Sequence, residues 1–157
     1  MVTLRALTTD DWPLWREVRR AALAEAPHAF KTRLADWHRG GGVPVWRCQA
    51  PTTSSRCWTA EPLAWPAAFP QTASHASYGP YGVSPGTRGR GVGDRLMSAV
   101  ETWNRQSGAT TLKLAVLPDN GHAIAFYQRH GFSATGELGD LLSDGVTREH
   151  VMAKALL

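Results

Sequence analysis

Between Val83 and Gly93 the chain reads Val-Ser-Pro-Gly-Thr-Arg-Gly-Arg-Gly-Val-Gly, and this stretch restricts the fold more than any other. It closes an extended segment and opens a helix. Gly89, Gly91 and Gly93 alternate through it. Having no Cβ, they permit positive φ and let a ligand lie against the backbone. The helix behind them presents unpaired N–H groups and the positive end of its dipole. Arg88 and Arg90 add charge beside those groups. The stretch is therefore a candidate anion site, and a phosphate or pyrophosphate fits it best. A plain connecting turn would look the same on its own.

Two common phosphate loops are excluded by the residues that follow. A P-loop needs Lys and Ser/Thr after its last glycine, and Gly93 is followed by Asp94 and Arg95. A dinucleotide fingerprint needs glycine at its third site, where Asp94 stands. What remains is Arg-x-x-Gly-x-Gly from Arg88 to Gly93.

The pattern after this stretch is regular. From Gly91 to Gln106, Val92, Leu96, Met97, Val100 and Trp103 form one helical stripe, and Gly108 ends it. Thr111 to Leu117 alternates as a strand, with Leu112, Leu114 and Val116 on one side. Strand, turn, helix, strand is a βαβ unit, so its two strands should run parallel. Pro118-Asp119-Asn120 then leads into a helix over about Gly121 to His130. Two final strands are expected over Phe132–Leu138 and Thr147–Leu156, joined through the turn pair Asp144-Gly145.

The second helix carries Asn120-x-x-Ala123-Ile124-x-Phe126-Tyr127-x-x-x-Gly131-Phe132. Together with Arg88–Gly93, in this order and at this distance, it resembles the GCN5-related N-acetyltransferase (GNAT) family. The resemblance is strong over residues 83–132 and weaker over the first 40. It implies an α/β (α+β) fold, a mixed sheet flanked by helices. It also implies acetyl-CoA as co-substrate, held where two parallel strands splay apart. The cofactor-binding residues carried over are Val83, Arg88, Gly89, Arg90, Gly91, Val92, Gly93, Asn120 and Phe126. Val83 would bond the pantetheine arm through its main chain, and the amides of Arg88–Gly93 would hold the pyrophosphate. Tyr127 would be the catalytic acid, protonating the leaving sulfur or donating a hydrogen bond to it. A helical tyrosine is otherwise a core residue, and Asn120 would otherwise be a plain helix cap. No general base stands out. Ser77 occupies the place where the family often has glutamate. His75, His122, His130 and His150 are weak candidates.

At 157 residues the chain is expected to be a single domain. Val2–Leu7 reads as a first strand, Trp12–Ala24 as an amphipathic helix and Phe30–His38 as a second short helix. The net charge of +4 comes from scattered residues, so it suits a polyanionic cofactor without pointing to nucleic acid. Cys48 and Cys57 lack metal-ligand spacing, so reduced thiols and no metal are expected. No apolar run has membrane-spanning length, and the chain is expected to be cytoplasmic. The expected partners are a small-molecule or peptide amine and a second copy of the chain. The alternative is a coenzyme A-binding domain without turnover.

Residues 41–82 differ from the rest. They hold six of the ten prolines and three of the seven tryptophans, and their only Asp, Glu, Lys or Arg residues are Arg47, Arg56 and Glu61. Proline is excluded from central strands, so the strands that the family fold needs here are in doubt and an irregular segment is expected. One account is that the segment is translated out of frame. Codons for His75–Val83 can be written so that reading two bases later gives Arg-Glu-Leu-Arg-Ser-Ile-Trp. That is the Glu-Leu-x-Ser pattern usual before the family's coenzyme loop. The prediction is a compensating pair of single-base changes in the gene, near Gly40 and Gly82. Coding DNA in which no such pair restores a charged, alternating strand pattern rules the account out.

Overall fold

The computed structural model describes residues 3–7, 12–25, 27, 57–61, 64–65, 68–70, 75–78, 82–83 and 89–156. Side chains are described at 13, 17, 20–25, 27 and 89–156. The chain order is β1 (Thr3–Leu7), α1 (Trp12–Glu25), β2 (Cys57–Glu61), β3 (Ala64–Trp65), β4 (Ala68–Pro70), β5 (His75–Tyr78), β6 (Gly82–Val83), α2 (Val92–Gln106), β7 (Thr111–Val116), α3 (Gly121–Arg129), β8 (Ser133–Leu141) and β9 (Arg148–Ala155). The expected helix at Phe30–His38, Arg88 and residues 41–56 lie outside the described residues.

Helix and strand periodicities meet in one core. Along α2, Val92, Leu96, Met97, Val100 and Trp103 are all buried, the 3.6-residue stripe read above. Along β7, Leu112, Leu114 and Val116 are buried, the two-residue period of a strand with one covered face. Tyr127 and Phe132 from the α3 region and Met152 from β9 complete the cluster. At the start of the chain, Ala22 and Leu23 of α1 are buried while Arg20 is exposed.

Among the described residues, nine strands form two sheets, ordered β1-β2-β3-β6 and β4-β5-β7-β9-β8. One hairpin links them. Trp65 stands opposite Gly82 in the first sheet, and Ala68 stands opposite Tyr78 in the second. The register of the two pairings differs by one residue. The arm holding β5 and β6 keeps β4 and β3 along one edge, and β7 lies on the other edge of β5. β5 pairs in parallel with β7 from His75/Thr111 to Tyr78/Leu114. Beyond that point β6 pairs with β3, and Ala115 and Val116 pair only with β9 among the described residues. The described parallel pairing ends at Tyr78/Leu114.

The expectation of an irregular segment at 41–82 is corrected over 57–82. β1 and β2 pair antiparallel over five residues, and four further short strands follow. Prolines and strands are reconciled by position. Pro62 and Pro66 fall between strands in the sequence, and Pro70 closes β4, an edge strand. Proline is tolerated at an edge because its missing donor would face no partner. The last two strands run close to expectation. β8 extends three residues further, through register shifts that include Gly136 at φ +79°. Asp144 closes the β8–β9 turn by accepting hydrogen bonds from the Val146 and Thr147 amides at 2.9 and 2.8 Å.

Polar contacts fasten α2 to β9. Lys154 Nζ donates to Oε1 of the buried Glu101 at 2.7 Å, and Arg105 Nη2 reaches Glu101 Oε2 at 3.4 Å. Arg105 Nε also donates to the Leu156 carbonyl at 3.0 Å. Removing Glu101 takes this acceptor from Lys154 and leaves Arg105 with the Leu156 carbonyl. Glu101→Ala should cost about 2 kcal/mol of stability, the range of a charge-assisted bond in a partly buried site. Glu101→Gln, which keeps an acceptor for Lys154, should cost about half of that. Urea unfolding midpoints at unchanged m-value measure both. Equal stability of Glu101→Ala and the parent chain would show that the network contributes nothing.

Candidate functional site

The glycine stretch becomes an open turn at the head of α2. Gly89 and Gly91 adopt φ values of +74° and +69°, a region that L side chains rarely occupy. A Cβ built at Gly89 would meet nothing within 4 Å, and at Gly91 only Asp94 Oδ2 at 4.0 Å. Among the described residues, nothing closes the space beside these two glycines. Gly91 is the N-cap of α2 and supplies no side-chain cap. The first helical bond runs from the Arg95 amide to the Gly91 carbonyl at 3.1 Å. The amides ahead of Arg95 in this turn have no acceptor inside the helix, and they carry the positive end of its dipole. Arg90 is exposed beside them. Val92 is 1% exposed, so its side chain belongs to the core and only its backbone serves the turn.

α3 runs from the C-terminal end of β7 to this turn. Its N-cap, Asn120, follows β7 closely and accepts a hydrogen bond from the Ala123 amide at 3.2 Å. At its other end, Arg129 Nη2 donates to Asp94 Oδ1 at 3.0 Å, and His130 Nε2 lies 2.7 Å from the same oxygen. Asp94 is in the first turn of α2. The two donors hold its carboxyl below the ordinary carboxylate range, Arg129 contributing most. This pair adds stability above that range, and the contribution fades as pH falls through the lowered value. Between the two ends sit Phe126 and Tyr127, packed edge to face with centroids 5.6 Å apart. Tyr127 is buried, and Phe132 packs on its other side at 5.9 Å. Burial pushes the Tyr127 phenol well above its ordinary value.

This geometry matches a family by comparison. The model of the acetyltransferase (GNAT) family matches residues 11–132. The chain belongs to the GNAT family. A mycothiol acetyltransferase of Renibacterium salmoninarum is 27% identical over 144 residues, covering 84% of this chain and 40% of the relative. The chain thus spans less than half of that relative's length. A GCN5-related N-acetyltransferase from Kribbella flavida superposes with TM-score 0.74 at 21% identity, over 98% of this chain and 97% of its own. The acetyltransferase yncA from Salmonella typhimurium, solved with its cofactor acetyl-CoA, superposes with TM-score 0.73 at 16% identity, over 100% and 95%. The GNAT fold accounts for the mixed sheet and the helices on it.

The structure sets the sequence candidates in three places. Gly89, Arg90, Gly91, Val92 and Gly93 form the turn and the start of α2. Val83 lies in β6, paired with Ala64 of β3. Asn120, Phe126 and Tyr127 lie along α3, with Asn120 about 10 Å from Tyr127 at roughly 1.5 Å per residue. Of the histidines, His122 and His150 are exposed, whereas His130 is engaged by Asp94. The Asp94–Arg129–His130 cluster was missed in sequence, because it joins residues 35 and 36 positions apart.

Substitution separates the turn's openness from its contribution to stability. Gly91→Glu should abolish coenzyme A binding, since a carboxylate would fill the free space at the helix head. The fold should survive, because a side chain at positive φ costs roughly 1–2 kcal/mol against a typical stability of about 5–15 kcal/mol. Gly108→Ala is the strain-matched control, with φ +82°, open space at Cβ and a position past the far end of α2. It should bind as the parent does. Calorimetry reads both, and undiminished affinity in Gly91→Glu removes the turn from the site.

Proposed function

We propose that this chain is an acetyl-CoA-dependent N-acetyltransferase that acylates a primary amine of a small molecule or peptide by direct attack. The observation that carries the reading is the glycine turn at the head of α2, with no side-chain cap, following the arm whose parallel pairing with β7 ends at Tyr78/Leu114. Acetyl-CoA supplies an activated acetyl thioester. The residues present suit it. Open space over Gly89 and Gly91 admits a pyrophosphate, and the amides of the turn donate to it. Gly82 and Val83 pair with β3 along one edge, and their other edge would serve an amide-bearing arm. Asn120 caps α3 through Oδ1, which leaves its amide nitrogen to face the same arm. The acetyltransferase names of the relatives support the reaction class.

Magnitudes decide what Tyr127 does. A thiol titrates near ~8.5 and an ordinary phenol near ~10. Full proton transfer from phenol to thiolate is thus uphill by about 2 kcal/mol before burial is counted. Burial raises the phenol further. Tyr127 therefore keeps its proton and donates a hydrogen bond to the sulfur as charge builds there. Its packing between Phe126 and Phe132 holds the ring for that task.

Tyr127→Phe should lower the single-turnover acetylation rate by ~10²-fold, with coenzyme A affinity changed by less than ~3-fold. The hydroxyl acts on the leaving sulfur and not on the bound ground state. A panel of amines with thiol-release detection supplies the acceptor. A parental rate in the mutant would leave Tyr127 as a core residue only. Calorimetric binding of coenzyme A with no thiol release across the panel would favour the binding-domain alternative. The presence of Ser77 on β5, in place of the expected glutamate, is the feature consistent with that outcome.

A further inference from the structure

We propose that Asn120-Gly121 is a site of self-modification, where the Gly121 backbone nitrogen attacks the Asn120 side-chain amide and converts the cap of α3 to aspartate and isoaspartate. The chain has two asparagines, and only Asn120 is followed by glycine. The chemistry needs no reagent besides water. The Gly121 nitrogen bonds to Cγ of Asn120, and the Cγ–Nδ2 bond breaks. The proton given up by the Gly121 N–H leaves with Nδ2 as ammonia. The product is a five-membered succinimide. Water then opens either of its carbonyl–nitrogen bonds, giving aspartate at position 120 by one route and isoaspartate by the other.

The structure leaves both reacting atoms open. Gly121 is exposed, and a Cβ built there would meet nothing within 4 Å. Having none, glycine puts no side chain in the path of its own nitrogen. Gly121 is the first residue of α3, so its N–H has no acceptor inside the helix and its proton is open to base. On the electrophile, Asn120 Oδ1 accepts from the Ala123 amide at 3.2 Å, which draws charge away from Cγ. The cap uses Oδ1 and leaves Nδ2, the departing group, outside it. Asn104 is the internal control. It is fully buried in α2, its Nδ2 donates to the Val100 carbonyl at 2.8 Å, and the amide that follows it lies inside the helical ladder.

Two bonds oppose ring closure. The side chain must swing off the Ala123 amide, and the peptide plane must turn off Ile124, whose amide donates to the Asn120 carbonyl at 3.0 Å. A cap or a backbone hydrogen bond each weights the closed form by roughly five-fold. Together they slow attack by ~30-fold relative to an unstructured peptide. That is a delay and not a block, because both bonds lie in the first turn of a nine-residue helix, and helix ends open most readily. The products differ in consequence. Aspartate caps a helix as well as asparagine does, so that product keeps α3 and loses only Nδ2. Isoaspartate adds a methylene to the main chain, which puts the cap and the Ile124 bond out of register. On the coenzyme A reading above, Nδ2 faces the bound arm, so both products should lose coenzyme A affinity.

Incubating the full chain beside the free peptide Leu-Pro-Asp-Asn-Gly-His-Ala, with peptide mapping by mass spectrometry, tests this. After ~10 half-lives of the peptide, about a fifth of Asn120 should carry the mass change from amide to acid, and Asn104 none. The rate should rise with pH, since the attacking nitrogen must lose its proton. Gly121→Ala, whose Cβ has room in the fold, should slow conversion several-fold. Asp144-Gly145 can isomerise by the same route without a change of mass, so mapping separates the two. Conversion below about a tenth of that expected, or equal conversion in Gly121→Ala, overturns the inference whatever coenzyme A does. Conversion as expected, with coenzyme A affinity unaltered in the converted fraction, upholds the site and removes Asn120 from the coenzyme reading.

Discussion

The site depends on one backbone reversal, at Gly91. The residue sits in the left-handed region, and the next residue, Val92, is buried in the core at the head of the α2 stripe. Those two facts are linked. Val92 anchors the start of the helix, and the left-handed step before it sets where the chain enters. A residue with a Cβ could take that step only with strain, and its side chain would enter the space that the turn leaves free. The turn's shape is thus set by the chain's own packing. A turn preset in this way would lose little entropy on binding an anion.

A second constraint is the length of the parallel pairing. It runs from His75/Thr111 to Tyr78/Leu114, while β7 continues to Val116. Among the described residues Ala115 and Val116 pair only with β9. One edge of β7 is thus left without a described partner at the C-terminal ends of the parallel pair. In open sheets with parallel strands this is the end where ligands lie. Both flanking helices also start at that end, α2 after β6 and α3 after β7.

Legibility followed the length of each periodic run. α2 and β7 were readable because fifteen and six residues repeat a period cleanly against one core. The strands between Cys57 and Val83 were not, because each is five residues or fewer and three have only two or three. An alternation cannot be seen in two residues. Prolines at 62, 66 and 70 also argued against strands, when they mark where strands stop. β8 was read three residues short because Gly136 and the register shifts around it break its alternation. Within the site, local signals survived in sequence: the glycines, the Asn120 cap and the Phe126-Tyr127 pair. Asp94 with Arg129 and His130 did not, since an ion pair across two helices leaves no local trace.

The polar contacts of α2 give that helix one further property. Its first turn is tied by Asp94 to the end of α3. Its middle is tied by Glu101 to Lys154 on β9. Its last turn is tied by Arg105 to the Leu156 carbonyl. Three ties along fifteen residues, to two different elements, restrain rotation about the helix axis as well as translation along it. The apolar stripe alone would tolerate small rotations, because Leu, Met and Val contacts are not directional. Hydrogen bonds are directional, and they fall off steeply with angle. The ties therefore supply what the core cannot, a fixed direction for the amides at the helix head. The acidic residue at the N-terminal end and the basic residue at the C-terminal end also match the helix dipole. Asp94 would by itself oppose a phosphate at that end. Its two donors on α3 offset that charge while keeping the helix in place, so the same pair of bonds serves orientation and electrostatics together.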